Sequence, residues 1–275
     1  MSNEKVVADH YTRGGLLEAI ETSLLEMGKT VDNVTVDDLA PVDEFHIGGR
    51  GATEHFMHQL NFAPDDQLLD IGCGIGGASR FVASRYNSIV TGIDLTSEYI
   101  ETGNVLCRWV GLDEQVMLYQ SSALTLPFEN ETFDGGFMIH VGMNIADKSQ
   151  LFKEIYRVLR PRATFGVYDI MRIGAGEVSY PVPWASEPST CNLAVLPFYR
   201  QALQEAEFTI LSENVRHQFA IDFFKAVRAN NEANGGPPPL GLHTLVGEST
   251  AVKFKNMVQS IEDGYIAPVE IIAQK

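Results

Sequence analysis

The sequence predicts an α/β fold whose strands form one doubly wound, mostly parallel, seven-stranded sheet. Three observations support this prediction. From residue 67 onward, short apolar segments alternate with segments of helical period, which is the order that gives parallel strands joined by crossover helices. The first apolar segment passes directly into a turn with four glycines within six residues, over 72–77. The length of 275 residues suits one such domain with insertions.

The residues before the first strand predict a helical cap. Between residues 15 and 28, five apolar side chains fall on one helical stripe: Leu16, Leu17, Ile20, Leu24 and Leu25. We therefore expect one helix over 15–28, a loop over 43–51 and a second helix over 52–61. Together these elements form a predicted cap over residues 1–61, ahead of a core over 62–275.

The elements of the core follow in alternating order. We expect strands at 67–71, 89–94, 115–120, 134–140, 163–169, 208–215 and 269–273. We expect helices at 77–86, 97–110, 148–159 and 197–206. Two segments do not fit the alternation: 171–195, rich in proline and aromatic residues, and 217–265, which holds two glycines followed by three prolines. Both follow late strands, so we predict that they form lid insertions near a site.

Composition limits the expected partners and location. The chain has 20 basic against 36 acidic residues, a formal charge of −16, which argues against nucleic acid as a partner. Its three cysteines, Cys73, Cys107 and Cys191, are widely spaced and follow no metal-ligand pattern, so we expect a reducing compartment and no metal. No secretory signal and no apolar run near the roughly 20 residues of a membrane span is visible. We expect a cytoplasmic protein without stable membrane insertion. The sequence is compatible with a homodimer and does not decide the oligomeric state.

The glycine-rich turn indicates the ligand. Residues 72–77 also fit the dinucleotide pattern G-x-G-x-x-G, so the glycines alone leave NAD as an alternative. Asp70 precedes the turn, and its negative charge repels a pyrophosphate but attracts a cation. S-adenosylmethionine carries a sulfonium and an ammonium group. The turn therefore favours S-adenosylmethionine over NAD.

Further motifs give a family resemblance. The chain combines D-x-G-x-G-x-G at 70–76, an acid (Asp94) at the end of the second strand, Leu-Pro-Phe…Phe-Asp at 126–134 and Arg-Val-Leu-Arg-Pro at 157–161. It resembles class I S-adenosylmethionine-dependent methyltransferases of the small-molecule, ubiquinone/menaquinone-type group. The Phe-His-Ile-Gly stretch at 45–48 is similar to one in the sarcosine/dimethylglycine and sugar methyltransferases of that group. The resemblance implies a Rossmann-like methyltransferase fold, S-adenosylmethionine as cofactor and S-adenosylhomocysteine as product.

The resemblance also implies the residues that hold the cofactor. Asp70, Gly72, Gly74 and Gly76 would lie at its methionine end, Asp94 at the ribose, Leu95 against the adenine, Ser122 and Ala123 at the adenine edge, and Tyr11 and His140 near the methionine moiety. For Asp94, the alternative is a cap of the helix that begins near residue 97. Three positions depart from the family pattern: Ser122 replaces an aspartate, Asn144 replaces a histidine, and residues 162–163 replace a Gly-Gly pair.

The sequence predicts the residues that contact the methyl acceptor less directly than those that hold the cofactor. His140, at the end of the fourth strand, is a candidate base, with a histidine tied to a neighbouring backbone group as the alternative. His243 is a second candidate base, with a solvent-exposed loop histidine as the alternative. The candidate substrate contacts are Tyr168 at the end of the fifth strand with its neighbour Asp169, Trp184, Asn144 and His46. For His46, the alternative is a helix-edge residue without ligand contact. Phe219, Phe223 and Phe224 form either an apolar wall or ordinary packing.

These residues predict an enzyme that transfers a methyl group to a nitrogen or oxygen of a small-molecule metabolite by in-line displacement. Carbon is a less expected acceptor. Two alternatives stay open at this point: a non-catalytic regulator that binds S-adenosylmethionine, and an NAD-dependent reductase.

Overall fold

Seven strands form a single sheet in the computed structural model, which describes residues 3–275 apart from the side chains of Asn3 and Glu248. The strands are β1 (Gln67–Ile71), β2 (Ile89–Asp94), β3 (Val116–Gln120), β4 (Phe133–Ile139), β5 (Leu159–Arg172), β6 (Thr209–Val215) and β7 (Ile266–Gln274). Their spatial order is β3-β2-β1-β4-β5-β7-β6. Strands β1 to β5 pair in parallel, whereas β7 lies antiparallel between β5 and β6. The predicted fold class is confirmed.

Eleven α-helices surround this sheet in the described residues. Four precede β1: α1 (Asn3–Tyr11), α2 (Leu16–Glu26), α3 (Val36–Asp43) and α4 (Gly49–His58). Four alternate with strands: α5 (Gly77–Tyr86), α6 (Ser97–Trp109), α7 (Lys148–Val158) and α8 (Leu196–Glu205). Three lie between β6 and β7: α9 (His217–Ala233), α10 (Leu242–Val246) and α11 (Thr250–Glu262). No helix within residues 3–275 combines the length and apolar character that a membrane span requires.

Apolar clusters on both faces make the sheet a rigid frame. On one face, Phe152 of α7 and Tyr199 of α8 are fully buried with Phe165 of β5. On the other, Phe56 of α4 is buried beside Phe137 of β4. Each such side chain contributes roughly 1.5–3 kcal/mol by leaving water. The frame therefore holds the loops at the strand ends in fixed positions.

The point where the chain reverses its winding fixes the position of the site. Strand β1 pairs with β2 on one side and with β4 on the other. The connections that follow β1 and β4 therefore run in opposite directions, and they leave a crevice at the carboxyl ends of these two strands. Ligands of open α/β sheets bind in such crevices. The glycine-rich turn after β1 lies at this point.

Several element bounds differ from the sequence predictions. Strand β5 runs to Arg172, beyond the predicted end at 169, because antiparallel pairing with β7 extends over Thr164–Arg172. Helices α1 and α3 were not predicted, since α3 is only 8 residues long and contains Pro41. The segment 217–265 is largely helical rather than irregular.

Candidate active site

A cavity of about 350 Å³ opens at the carboxyl ends of β1, β2 and β4. These strands deliver Asp70, Asp94 and His140 to its lining. Helix α1 and the three helices between β6 and β7 cover it with Tyr11, Phe224, Leu245 and Met257, among others. The site thus combines residues from both ends of the chain with the central strands.

The glycine-rich turn shapes a cradle on the floor of this cavity. Gly72 and Gly74 both have left-handed backbones, with φ of +70° and +55°. A Cβ on Gly72 would lie 2.3 Å from a methyl carbon of Val141, so no side chain fits there. A Cβ on Gly74 would meet only Tyr99, at 4.0 Å, and Gly74 lines the open cavity. The turn therefore leaves space for a ligand to lie against bare backbone.

The different surroundings of these two glycines predict different stabilities for their alanine variants. We expect Gly72→Ala to lower the free energy of unfolding more than Gly74→Ala. Both variants place an alanine in a left-handed conformation, which costs about 1–2 kcal/mol, but only Gly72→Ala adds the clash with Val141. Urea titrations of both variants measure the difference. Equal losses would contradict this account of the turn.

Gly76 was predicted to contact the cofactor, and the structure corrects this. Its backbone, with φ of +80°, begins α5, and its N–H donates to the carbonyl of Cys73 at 2.8 Å. A Cβ there would lie 2.7 Å from Leu118 of β3, and Gly76 is not part of the cavity lining. Gly76 is needed for close packing of the turn against β3.

Asp94 is oriented by the backbone. Its Oδ2 accepts the N–H of Gly74 at 3.0 Å, and its Oδ1 accepts the N–H of Thr96 at 2.9 Å. The second bond shows that Asp94 also supports the start of α6, as the alternative reading proposed. Each carboxylate oxygen keeps further acceptor capacity. The side chain lines the cavity and remains partly exposed, so it can receive two vicinal hydroxyl groups.

The adenine edge differs in part from the prediction. Leu95 and Ala123 line the cavity as expected. Ser122 lies outside the lining, because its hydroxyl bonds the carboxylate of Glu4 and accepts the N–H of Leu124 at 3.0 Å. Glu4 itself lines the cavity, as does Leu124. Sequence reasoning missed Glu4 because nothing in the sequence showed that α1 folds over this edge.

Asp70 lies buried at the start of the turn. Its Oδ2 accepts the hydroxyl proton of Ser79 at 2.7 Å. Burial, with a smaller effect from the nearby charge of Asp94, raises the pKa of Asp70 to about 7, although the Ser79 hydrogen bond acts to lower it. A cation bound in the cavity would favour the ionised form.

This raised pKa predicts that binding of a cationic ligand strengthens with pH. A sulfonium or ammonium ligand prefers ionised Asp70, so S-adenosylmethionine should bind more tightly as pH rises from 6 to 8 through the pKa of about 7. Calorimetric titrations at several pH values measure the trend. The variant Asp70→Asn should show a flatter profile, although Asp43 and Asp169 also have pKa values raised to about 6. An unchanged slope in Asp70→Asn would contradict the assignment.

His140 lines the cavity and has a ring nitrogen without a hydrogen-bond partner. Its backbone is left-handed, with φ of +54°, and its N–H donates to the carbonyl of Tyr168 at 2.7 Å. Its Nε2 is buried without a hydrogen-bond partner, so this nitrogen is not tied to a neighbouring backbone group. Burial, with His46 adding to the effect, holds the pKa of His140 well below 6.5. The ring is therefore neutral at pH 7.

The buried hydroxyl group of Thr53 orients His46, which lies beside His140. The ring of His46 lies 5.8 Å from that of His140. Its Nε2 is 3.0 Å from the hydroxyl oxygen of Thr53, whose proton is donated to Glu44 at 2.6 Å. Because that proton is already engaged, Thr53 accepts from His46. His46 lines the cavity and is held in a fixed orientation.

Tyr168 and Asp169 do not reach the mouth of the cavity, which corrects their predicted place. The Tyr168 hydroxyl donates to the carbonyl of Ile47 at 2.8 Å, and its ring packs 5.2 Å from that of His140. Asp169 accepts the hydroxyl proton of Tyr199 at 2.6 Å. Both side chains are fully buried, because β5 continues beyond them. Tyr168 supports His140 instead of contacting a substrate.

Tyr11 and Asn144 close one side of the cavity together. The Tyr11 hydroxyl lies 3.2 Å from the Asn144 side-chain nitrogen, and both residues line the cavity. Burial raises the pKa of Tyr11, so its hydroxyl stays neutral. This pair joins α1 to the short turn after β4.

The acceptor side of the cavity is mainly apolar. Trp184, Phe223 and Phe224 line it as expected, and the indole N–H of Trp184 donates to the sulfur of Cys191 at 3.3 Å. Phe219 does not line it, because its ring stacks 3.8 Å from the guanidinium of Arg216. The wall also includes residues that sequence reasoning missed: Met143, Phe254 and Met257. A helical period in α11 was the available signal for the last two.

His243 is not brought to the cavity, which corrects its candidacy as a base. Its Nε2 donates to the carbonyl of Pro239 at 3.1 Å. The neighbouring Leu242 and Leu245 line the cavity in its place. The side chains of residues 3–275 that the structure describes include no cluster of three or more histidine, cysteine or acidic groups suited to a metal ion.

The described residues fit S-adenosylmethionine. The open cradle at Gly74 offers space against bare backbone, and Asp94 offers acceptors for ribose hydroxyls. Leu95 and Ala123 supply an apolar edge, and Asp70 supplies negative charge below the turn. All of them border one continuous cavity.

Comparison with known proteins agrees with this geometry. Residues 69–167 match the family model described as a methyltransferase domain. The cycloartenol-C-24-methyltransferase of Arabidopsis thaliana is 37% identical over 117 residues, which are 42% of this chain and 35% of that enzyme. The chain thus spans only about a third of the length of the first curated relatives it matches.

Solved structures share the fold over the whole chain. A geranyl diphosphate methyltransferase in complex with GPP and sinefungin has a TM-score of 0.74 at 18% identity, covering 99% of each chain. Phosphoethanolamine N-methyltransferase 2 of Haemonchus contortus has a TM-score of 0.74 at 19% identity, covering 100% of this chain and 60% of its own. Residues 69–167 thus match a methyltransferase domain, and the whole chain shares the fold of these solved structures.

Proposed function

We propose that this protein transfers a methyl group from S-adenosylmethionine to an oxygen or nitrogen of an apolar small molecule. The observation that carries the proposal is the single cavity that has a cofactor cradle at one end and an aromatic wall at the other. His140 lines the same cavity, and its buried Nε2 has no hydrogen-bond partner.

In this proposal, different residues of the cavity bind the cofactor, bind the acceptor and remove its proton. Gly74 and Asp94 hold the cofactor, which supplies an activated methyl group when bound. The aromatic wall at Trp184 and Phe224 holds the acceptor and excludes water, and such alignment is worth roughly 7–11 kcal/mol in favourable cases. His140 accepts the hydrogen bond of the acceptor hydroxyl or amine and takes its proton as the new bond forms.

A carbon acceptor is the second candidate, and the aromatic lining favours it. Methyl addition to an alkene leaves a carbocation, which aromatic faces stabilise. Four aromatic side chains line the acceptor side: Trp184, Phe223, Phe224 and Phe254. The names of similar proteins include a sterol-type C-24-methyltransferase and a geranyl diphosphate C-methyltransferase. Here too a base is needed, because the cation must lose a proton.

Methyl-labelled cofactor distinguishes the candidates. The protein is incubated with ¹³C-methyl S-adenosylmethionine and a panel of apolar alcohols, phenols, amines and alkenes. The chemical shift of the labelled methyl group then identifies an O-, N- or C-methyl product. Binding of S-adenosylhomocysteine without methyl transfer to any acceptor class would favour a binding role and contradict the proposal.

A further inference from the structure

We propose that a basic recess beside the cavity binds an anionic group, a carboxylate or phosphate monoester, carried by the methyl acceptor. The basic recess is the space of about 120 Å³ lined by His10, Arg13 and Lys253 together with neighbouring apolar residues. This inference rests on the proposed function and adds to it the chemistry of the acceptor's polar end.

The basic recess adjoins the main cavity. Five residues line both spaces: Tyr11, Phe45, Tyr99, Pro183 and Leu245. Lys253 lies on α11 one turn before Met257, which belongs to the acceptor wall. An acceptor with its apolar body against this wall can therefore extend an anionic end into the recess.

The charge of the recess contrasts with that of the protein. Its lining contains three basic residues and no aspartate or glutamate, in a chain with 36 acidic and 20 basic residues. Elsewhere, buried arginines face carboxylates, as Arg80 faces Asp43. Among the side chains that the structure describes, which leave out Glu248, Lys253 has no ion pair and no hydrogen bond. A partly buried, unpaired ammonium group is unfavourable unless an anion joins it.

The side chains of the other two basic residues bond neutral groups, which include the Ser186 hydroxyl at 3.4 Å from His10 Nδ1. His10 Nε2 donates to the carbonyl of Pro183 at 2.9 Å, and the Arg13 guanidinium donates to the carbonyls of His243 and Thr244. These bonds orient both side chains and leave the Arg13 guanidinium charged, whereas burial lowers the pKa of His10 and favours its neutral ring. A guanidinium group has five N–H donors, so Arg13 keeps donors for a ligand.

A nearby carboxylate, Glu98, is held by backbone N–H groups at the edge of the recess, and the charge of Arg13 also lowers its pKa. Glu98 accepts the backbone N–H groups of Arg13 at 2.6 Å, Gly14 at 2.9 Å and Leu16 at 3.1 Å. These bonds lower the pKa of Glu98 against the effect of its burial, and they hold it below the segment that joins α1 to α2. Glu98 is not part of the recess lining.

The test compares probes of equal chain length. Octanoate, octyl phosphate and octanol are titrated calorimetrically into the wild-type protein, with and without saturating S-adenosylhomocysteine. We expect at least one of the two anions to bind about tenfold more tightly than octanol, and the stronger one tells carboxylate from phosphate. The variant Lys253→Met should remove this preference, whereas the exposed neighbour Lys255→Met should keep it.

Three results would overturn the inference: no binding of either anion, no preference over octanol, or a preference that survives in Lys253→Met. A fourth would redirect it. If Lys253→Met weakens S-adenosylhomocysteine but not octanoate, the recess serves the carboxylate of the cofactor and not the acceptor. Failure of the proposed function is separate, because it appears in the wild-type protein as absent methyl transfer whatever the probes do.

Discussion

Replacing His140 with asparagine is expected to lower kcat by about 10²–10⁴-fold while leaving the affinity for S-adenosylmethionine within a few-fold of wild type. The reason is that His140 lines the cavity and its buried Nε2 has no hydrogen-bond partner in the protein. Burial holds the pKa of His140 well below 6.5, so the ring is neutral at pH 7 and is not already protonated. Asparagine removes that nitrogen but tolerates the left-handed backbone at φ of +54°.

The choice of substitution keeps the experiment interpretable. An alanine at position 140 would add backbone strain to the loss of the imidazole, and the two effects could not be separated. The exposed histidine His58, replaced by asparagine, serves as the matched control. Steady-state kinetics with an acceptor from the labelled panel give kcat and KM, and calorimetry gives cofactor affinity. A kcat of His140→Asn within twofold of wild type would exclude the imidazole as the base.

Asp94→Asn is expected to weaken binding of S-adenosylmethionine by about 10- to 100-fold. Hydrogen bonds to a charged group contribute about 1.5–3 kcal/mol, and the amide replaces one anionic acceptor with a donor. Asp94 is already held at 3.0 Å from the N–H of Gly74 and at 2.9 Å from that of Thr96, so its orientation costs nothing further on binding. Isothermal titration measures the change.

The structural role of Asp94 requires a second measurement. Its bonds to the turn and to the start of α6 are weakened along with the ligand contacts. Thermal unfolding without ligand reports that loss, and Asp113→Asn, at an exposed acid after α6, provides the control. Unchanged affinity in Asp94→Asn would remove Asp94 from the ribose site.

Much of the cofactor end was predictable because it is local in sequence. The turn over 70–76 and the acid Asp94 follow adjacent parallel strands, and parallel strands end at the same edge of a sheet. Gly72 and Gly74 are required by backbone conformation, which the motif itself reflects. The same motif also includes Gly76, whose role in packing against Leu118 depends on β3, 42 residues later.

The acceptor end was less predictable because its residues come from distant segments. His243 and Met257 are 14 residues apart in the predicted lid insertion over 217–265, and only Met257 lines the cavity. Tyr168 was expected at a strand end, but pairing of β5 with β7 buries it beneath His140. Ser122 does not line the cavity because its hydroxyl group donates to the carboxylate of Glu4, a residue 118 positions away.

The sequence by itself determined the fold class, the reversal point of the sheet and the cradle for the cofactor. These features depend on the hydrophobic periodicity of each segment, on the glycines of the turn after β1 and on the alternating order of strands and helices along the chain. Only the tertiary structure decided which side chains face the acceptor, that His140 Nε2 has no partner, and that a basic recess adjoins the cavity. The physical reason is that burial and hydrogen-bond partners depend on contacts between segments far apart in sequence, and no local pattern encodes them.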